Sequence, residues 1–150
     1  MVSLAHKITR SIKILLVEDN LGDVTLIMEA FKGSKRDIQL MRVKDGLEAL
    51  DYLNGKGRYS HSGRPDLILL DLNMPKKPGL EVLEEIKSDP KLKDIPVVVL
   101  TNSKLDADVR KAYESRANFY MVKPTDLDEL FVAMRYVEDI WLRSVAGEAD

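Results

Sequence analysis

The chain contains the stretch Leu67-Ile68-Leu69-Leu70-Asp71-Leu72-Asn73-Met74-Pro75, in which an unbroken aliphatic run ends on a carboxylate. Four consecutive aliphatic residues are typical of a strand that is buried on both faces, as in the middle of a parallel sheet. Pro75 bars further strand pairing because proline has no backbone N–H. Asp71 is therefore predicted at the carboxyl end of a central strand, where open α/β sheets bind their ligands. A capping or turn aspartate is the less favoured interpretation of the same stretch.

The composition excludes several kinds of protein. A chain of 150 residues fits a single domain, and its shares of hydrophobic (45%) and charged (32%) residues are ordinary for a soluble globular protein. The net charge of −2 offers no electrostatic footprint for nucleic acid, and the absence of cysteine excludes disulfides and thiolate metal sites. Residues 1–10 lack a signal-peptide core, and no apolar run approaches the ~20 residues that a membrane span needs. We therefore expect a cytoplasmic protein with no nucleic-acid or membrane partner.

Apolar runs and alternating segments predict strands that alternate with helices. The predicted strands cover residues 12–17, 38–43, 67–70, 97–101 and 119–122. The helices are predicted from apolar stripes, which are Val24, Ile27, Met28 and Phe31; Leu47, Leu50 and Leu53; Leu80, Leu83 and Ile86; Leu105, Val109 and Ala112; and Leu127, Leu130, Phe131, Met134, Val137 and Trp141. Strict alternation implies a parallel sheet with right-handed crossovers. The predicted fold class is a doubly wound, flavodoxin-like α/β domain, with a five-stranded parallel sheet in the order 2-1-3-4-5 and five helices.

The predicted domain covers residues 12–145. A loosely ordered lead-in over residues 1–11 precedes it, and a short tail over residues 146–150 follows it. Residues 54–65 form one long loop, near the upper end of what compact domains carry without a functional reason.

Polar side chains stand at the ends of the predicted strands. Glu18 and Asp19 follow the first strand, Asp71 the third and Lys123 the fifth, while Thr101 closes the fourth. In the order 2-1-3-4-5 the first and third strands are neighbours, so the three carboxylates are predicted to converge. Carboxylates that close would repel one another, and a hard divalent cation such as Mg²⁺ removes the conflict. The acids, the cation, a hydroxyl and an ammonium group together predict a phosphoryl-transfer site with Asp71 as the covalent nucleophile.

Each of these residues has an ordinary structural explanation when it is considered alone. The Glu18-Asp19 pair fits a loop or cap, a threonine at a strand end is usually structural, and a Lys-Pro step is usually a turn. Their joint occurrence at the strand ends favours the functional interpretation.

These residues lie in motifs through which the chain resembles the receiver domains of two-component response regulators. The motifs are Leu15-Leu16-Val17-Glu18-Asp19-Asn20, Asp45-Gly46, Leu69-Leu70-Asp71-Leu72-Asn73-Met74-Pro75 with Gly79, Val98-Val99-Leu100-Thr101 and Tyr120-Met121-Val122-Lys123-Pro124. The similarity covers about Lys13 to Leu142. A closer likeness is to the small single-domain regulators that are paired with bacterial phytochrome kinases. It is carried by Asn20-Leu21-Gly22-Asp23, the 54–65 loop, Thr101-Asn102-Ser103 and Ile140-Trp141.

The resemblance implies a phosphoacceptor and a set of metal ligands. Asp71 would accept the phosphoryl group from a histidine of a sensor kinase. Asp19 and Asp71 would bind Mg²⁺ through their carboxylates, and Asn73 would bind it through its backbone carbonyl. Glu18 would act through a metal-bound water.

The resemblance also implies the residues that respond to the phosphoryl group. Lys123 and Thr101 would contact it, and Thr101 and Tyr120 would form the switch. The peptide bond between Lys123 and Pro124 would be cis. The implied protein is a stand-alone response regulator with weak self-phosphatase activity rather than a conventional enzyme. Its partner would be a sensor histidine kinase, and the closer likeness points to one of the phytochrome type.

Two other functions are compatible with parts of the sequence. A receiver-like scaffold could bind its partners without phosphorylation, although the nearly complete site argues against this reading. An aspartyl-nucleophile phosphatase needs a second acid two residues after the nucleophile, and Asn73 stands there instead.

Apolar residues outside the main stripe of the last helix predict an interface. Val132, Tyr136 and Ile140 lie off its main apolar stripe, and they exceed what the core of a monomer needs. We therefore expect a homodimer through the last helix and neighbouring elements.

Overall fold

Five parallel strands alternate with five α-helices along residues 10–148, which are the residues described by the computed structural model. The strands are β1 (Ile12–Val17), β2 (Ile38–Val43), β3 (Leu67–Leu70), β4 (Val97–Thr101) and β5 (Phe119–Val122). The helices are α1 (Leu21–Lys32), α2 (Gly46–Leu53), α3 (Gly79–Ser88), α4 (Asp106–Glu114) and α5 (Leu127–Trp141). The predicted lead-in over residues 1–11 lies almost wholly outside the described residues.

The sheet has the predicted order β2-β1-β3-β4-β5, with every pair of neighbours parallel. All four residues of β3 are buried, as an aliphatic run in the middle of a parallel sheet should be. The edge strand β2 instead alternates between half-buried and exposed positions. The prediction of a doubly wound, flavodoxin-like fold is therefore confirmed.

The core has two layers, one on each face of the sheet. Alternate residues of β3 enter different layers: Ile68 and Leu70 pack with α2, α3 and α4, whereas Leu67 and Leu69 pack with α1 and α5. This division follows from the two-residue period of a strand. It leaves the loops at the carboxyl ends of the strands free to carry functional groups.

Several predicted core positions are exposed. Met28, Leu47, Leu105 and Leu127 face solvent, and smaller or neighbouring side chains take their places, such as Ala49 in α2. Helices that lie on a sheet bury a narrow stripe, so a leucine at its margin can stay outside.

The loop over residues 54–65 also differs from the expectation of a structureless segment. It contains a 3₁₀-helix at Gly57–Tyr59, and the Tyr59 ring is buried with its centroid 5.1 Å from that of Tyr52. The loop therefore contributes to the core beside α2.

A buried ion-pair cluster joins the α1–β2 connection to α5. Glu138 is fully buried, and its Oε1 accepts hydrogen bonds from Ser34 Oγ (2.6 Å) and Arg36 Nη1 (3.0 Å). Its Oε2 accepts one from Arg135 Nε at 2.8 Å. Arg36 Nε in turn donates to Glu148 Oε2 at 2.6 Å, so residues close to the C-terminus are tied to the same cluster.

Among the residues described, no helix is both long and apolar enough to cross a membrane.

Candidate functional site

Three carboxylates converge at the carboxyl edge of the sheet. Glu18 and Asp19 follow β1, and Asp71 follows β3, the strand that pairs directly with β1. One oxygen from each lies within 4.8 Å of the other two. Glu18 and Asp71 are buried, whereas Asp19 is exposed. The convergence that the strand order predicts is present.

Backbone contacts fix the position of Asp71. Its N–H donates to the Val17 carbonyl at 3.1 Å, which continues the β1–β3 ladder by one residue. The Asn73 N–H donates to Asp71 Oδ1 at 3.2 Å, and this hydrogen bond stabilises a tight turn directly after Asp71. Gly79, the first residue of α3, packs directly on this turn: an added Cβ would overlap the Asp71 carbonyl oxygen and lie 2.6 Å from Leu72 Cα. Only glycine fits there, so the start of α3 holds the loop that follows Asp71.

Lys123 places a positive charge among the carboxylates. Its Nζ lies 2.6 Å from Glu18 Oε1, 2.7 Å from Asp23 Oδ2 and 3.4 Å from Asp71 Oδ2. Burial alone would lower the pKa of the Lys123 ammonium, but the hydrogen bonds to Asp23 and Glu18 and the charge of Asp71 outweigh it and raise the pKa. Lys123 is therefore a permanent cation in this pocket.

Glu18 is the carboxylate whose protonation is most affected by the site. Burial raises its pKa to about 7, the nearby charge of Asp71 acts in the same direction, and the hydrogen bond from Lys123 opposes both. Crowded carboxylates with a single ammonium partner are short of positive charge, which is the condition that a divalent cation relieves.

The oxygen donors fit a small, hard cation. Three carboxylate oxygens lie close enough together to share one ion, and the backbone carbonyl of Asn73 belongs to the same loop as Asp71. Ions such as Mg²⁺ prefer an all-oxygen shell with few protein ligands and several waters.

Thr101 and Tyr120 lie on the neighbouring strands β4 and β5. Thr101 is completely buried, and its hydroxyl has no hydrogen-bond partner within the described part of the chain. An unpaired buried hydroxyl is costly, so that of Thr101 is available to bond to a water or to a ligand oxygen. Tyr120 is already inward, and its hydroxyl donates to the Ser103 carbonyl at 2.8 Å. Burial raises the pKa of Tyr120, so its phenol is neutral.

The predicted cis peptide between Lys123 and Pro124 is wrong, since no peptide bond within residues 10–148 is cis. The trans form is the lower-energy isomer for most X–Pro bonds, by about 0.5–1 kcal/mol. It still allows the Lys123 N–H to donate to the Thr101 carbonyl at 2.8 Å while the side chain reaches the carboxylates.

Comparison with known proteins places this chain in a family. The sequence profile of the response regulator receiver domain matches residues 14–135. The chain belongs to the response regulator receiver family. This receiver is 49% identical over 132 residues to response regulator Rcp1 of Synechocystis sp., an alignment that covers 88% of this chain and 90% of Rcp1.

Solved structures agree with the sequence relatives. The phosphorylated cyanobacterial phytochrome response regulator RcpA superposes with a TM-score of 0.85 at 48% identity, over 90% of this chain and 96% of RcpA. The Mn²⁺-bound form of Rcp1 superposes with a TM-score of 0.82 at 49% identity, over 89% of this chain and 96% of that structure. The receiver is therefore related to phytochrome response regulators.

Asp23 is the site residue to which sequence reasoning assigned no role. It lies in the first turn of α1, and its carboxylate reaches Lys123 across the pocket. The available signal was its position, because Asp23 lies in the first turn of a helix that begins at the functional edge.

Proposed function

We propose that this receiver accepts a phosphoryl group from the phosphohistidine of a sensor histidine kinase onto Asp71, in a reaction that depends on Mg²⁺. The supporting observation is the buried Asp71 carboxylate with Lys123 Nζ 3.4 Å from its Oδ2, beside two further acids. A phosphorylation-independent scaffold would not need a buried acid and lysine at this edge. The relative RcpA, which is 48% identical to this receiver, is a phytochrome response regulator, and this likeness supports a phytochrome-type kinase. We also propose that this receiver acts in the cytoplasm, as the sequence predicts.

The proposed step is a substitution at phosphorus. A carboxylate oxygen of Asp71 attacks the phosphorus atom, the bond to the donor nitrogen breaks, and the histidine leaves with the electron pair. The Asn73 N–H holds Oδ1 at 3.2 Å, and the Lys123 ammonium faces Oδ2. Lys123 and the unpaired hydroxyl of Thr101 would donate to the oxygens of the incoming group.

Asp19, Asp71 and the Asn73 carbonyl would hold the cation directly, and Glu18 would hold it through a water. The chemistry that bound Mg²⁺ supplies is charge neutralisation between two reacting anions. The relative Rcp1 has a Mn²⁺-bound form, which supports a divalent ion at the corresponding site of this receiver.

Replacing Asp19 by asparagine should weaken Mg²⁺ binding by at least tenfold, which corresponds to about 1.4 kcal/mol, because one charged ligand becomes neutral. Isothermal calorimetry measures the affinity, and phosphorylation by acetyl phosphate in Mg²⁺ or in EDTA measures the consequence. Asp37→Asn is the matched control, since Asp37 is exposed and precedes β2 at the opposite edge of the sheet. Equal Mg²⁺ affinity in Asp19→Asn and Asp37→Asn would remove Asp19 from the ligand set.

The proposed output is a change in the surface formed by β5 and α5. Phosphorylation would draw the Thr101 hydroxyl toward the new oxygens, and Tyr120 would adjust beside it. The adjoining face of α5 carries Val132, Tyr136 and Ile140, which are 69%, 48% and 54% exposed. An isologous homodimer through this face would cover them and leave the Asp71 pocket open.

If the phosphorylated form presents a better matched surface at this face, linkage requires phosphorylation to tighten the dimer. Sedimentation velocity over a concentration series, with and without a phosphoryl mimic, measures both states. Val132→Asp should abolish association, whereas Leu47→Asp, at an exposed apolar site on α2, should not. Monomers at every concentration in both states would exclude the dimer, and a dimer that ignores the mimic would exclude only the coupling.

A further inference from the structure

Asp23 competes with Asp71, the proposed phosphoacceptor, for the Lys123 ammonium. Among the described residues, this is the only ammonium group in contact with Asp71. A lysine ammonium has three N–H donors, and Lys123 Nζ shares them among three acids: it donates hydrogen bonds to Asp23 and Asp71 and forms an ion pair with Glu18. The shorter contacts, 2.6 and 2.7 Å, go to Glu18 and Asp23, and the longest, 3.4 Å, goes to Asp71. The ammonium therefore lies closer to the β1–α1 side of the pocket than to the residue that would be phosphorylated.

The two acids that hold Lys123 most closely differ in what else they do. Glu18 belongs to the cluster of carboxylates that can share a metal ion, and its other oxygen accepts the Asn20 N–H. Asp23 lies outside that cluster, and in the described structure its carboxylate makes a hydrogen bond only to Lys123. The part that Asp23 plays in capping α1 uses its backbone N–H, which donates to Asn20 Oδ1 and is kept when Asp23 is replaced by asparagine or glutamate.

We infer that Asp23 is a positioning residue that retains the Lys123 ammonium near α1 in the unphosphorylated receiver and holds it less closely once Asp71 is phosphorylated. This inference rests on the proposed function. A phosphoryl group on Asp71 brings new anionic oxygens, which compete with Asp23 and Glu18 for the Lys123 ammonium. Asp23 also adds negative charge to the pocket that an anionic donor must enter, so its carboxylate opposes phosphorylation in two ways.

Removing the charge of Asp23 should accelerate phosphorylation. Its side chain is 29% exposed, so water screens part of the interaction and the effect is moderate. We expect Asp23→Asn to raise the phosphorylation rate with acetyl phosphate roughly threefold to tenfold at saturating Mg²⁺, a range consistent with the loss of one screened charged hydrogen bond. Asp23→Glu keeps a carboxylate and should bring the rate back toward that of the wild type.

Glu29→Gln provides the matched control. Glu29 lies on the same helix and is exposed, and it pairs with Lys32 at 3.3 Å without contacting Lys123. The Glu29→Gln variant removes one negative charge from α1, as Asp23→Asn does, but it leaves the contacts of Lys123 unchanged. Its phosphorylation rate should therefore stay at the wild-type value. Heteronuclear NMR of the lysine ammonium groups supplies a readout that needs no phosphorylation. The Lys123 signal should shift or broaden in Asp23→Asn and stay in place in Glu29→Gln.

The outcomes separate the inference from the proposed function. An unchanged Lys123 signal in Asp23→Asn would overturn the retention of the ammonium. A shifted signal with an unchanged or slower rate would overturn its effect on phosphorylation, as would an equal acceleration in Glu29→Gln. A wild-type protein that no donor phosphorylates in Mg²⁺ would remove the proposed function and the inference together.

Discussion

Replacing Glu138 by alanine should lower the free energy of unfolding by about 3–5 kcal/mol, the usual cost of removing one partner from a buried ion pair. The Glu138 carboxylate is fully buried and pairs with Arg36 and Arg135. Without it, the guanidinium of Arg36, whose side chain is only 12% exposed, loses its buried partner, and the Ser34 hydroxyl loses its acceptor. Urea unfolding measures the loss as a fall in the midpoint at constant slope.

Asp139→Ala is the matched control for this prediction. Asp139 is the next residue on α5 and pairs with the same guanidinium at 3.1 Å, but its side chain is 52% exposed. Exposed ion pairs contribute about 0–1 kcal/mol, so this variant should unfold close to the wild type. Equal losses in Glu138→Ala and Asp139→Ala would show that burial is not what gives the Glu138 contact its strength.

The sheet and the converging acids could be predicted because each follows from a local pattern. Aliphatic runs identify β3 and β4, and strict alternation with helices fixes parallel strands and their crossovers. Once β1 and β3 are neighbours, the residues after them, Glu18 and Asp71, must meet at one edge. No side-chain conformation is needed for that step.

Contacts between residues that are distant in sequence could not be predicted in the same way. Glu138 lies on the buried face of α5, where a charged residue is unexpected, and its partner Ser34 is 104 positions away. Asp23 reaches Lys123 over 100 positions. Tyr59 enters the core from a segment rich in glycine and polar residues, whose composition indicates a loop. In each case the partner lies on another element, and only the folded chain brings the two together.

The pocket divides its tasks between elements. The neighbouring strands β1 and β3 supply the acids, and the ladder holds them at a fixed separation. The opposing charge comes from Lys123, which follows β5, two strands away from β3 in the sheet. The ammonium must span this distance on a flexible stem, so small changes around it should alter the reaction more readily than changes in the sheet.

Asp71→Asn should abolish phosphorylation, the largest functional effect expected of any single substitution in this receiver. An amide oxygen carries no charge and is a poor nucleophile, whereas the shape and hydrogen bonds of the side chain are largely kept. Asp45→Asn is the matched control. Asp45 is also a buried carboxylate near this edge, where it caps α2 by accepting the Glu48 N–H at 2.8 Å. Asparagine caps helices as well as aspartate does, so this variant should fold and be phosphorylated.

Intact mass spectrometry after incubation with acetyl phosphate tests the central claim most directly. In Mg²⁺, the wild type and Asp45→Asn should each gain the mass of one phosphoryl group, and EDTA should suppress the gain. Asp71→Asn should gain nothing under either condition. A phosphoryl group on Asp71→Asn in the same yield as on the wild type would contradict the assignment of Asp71 as the phosphoacceptor.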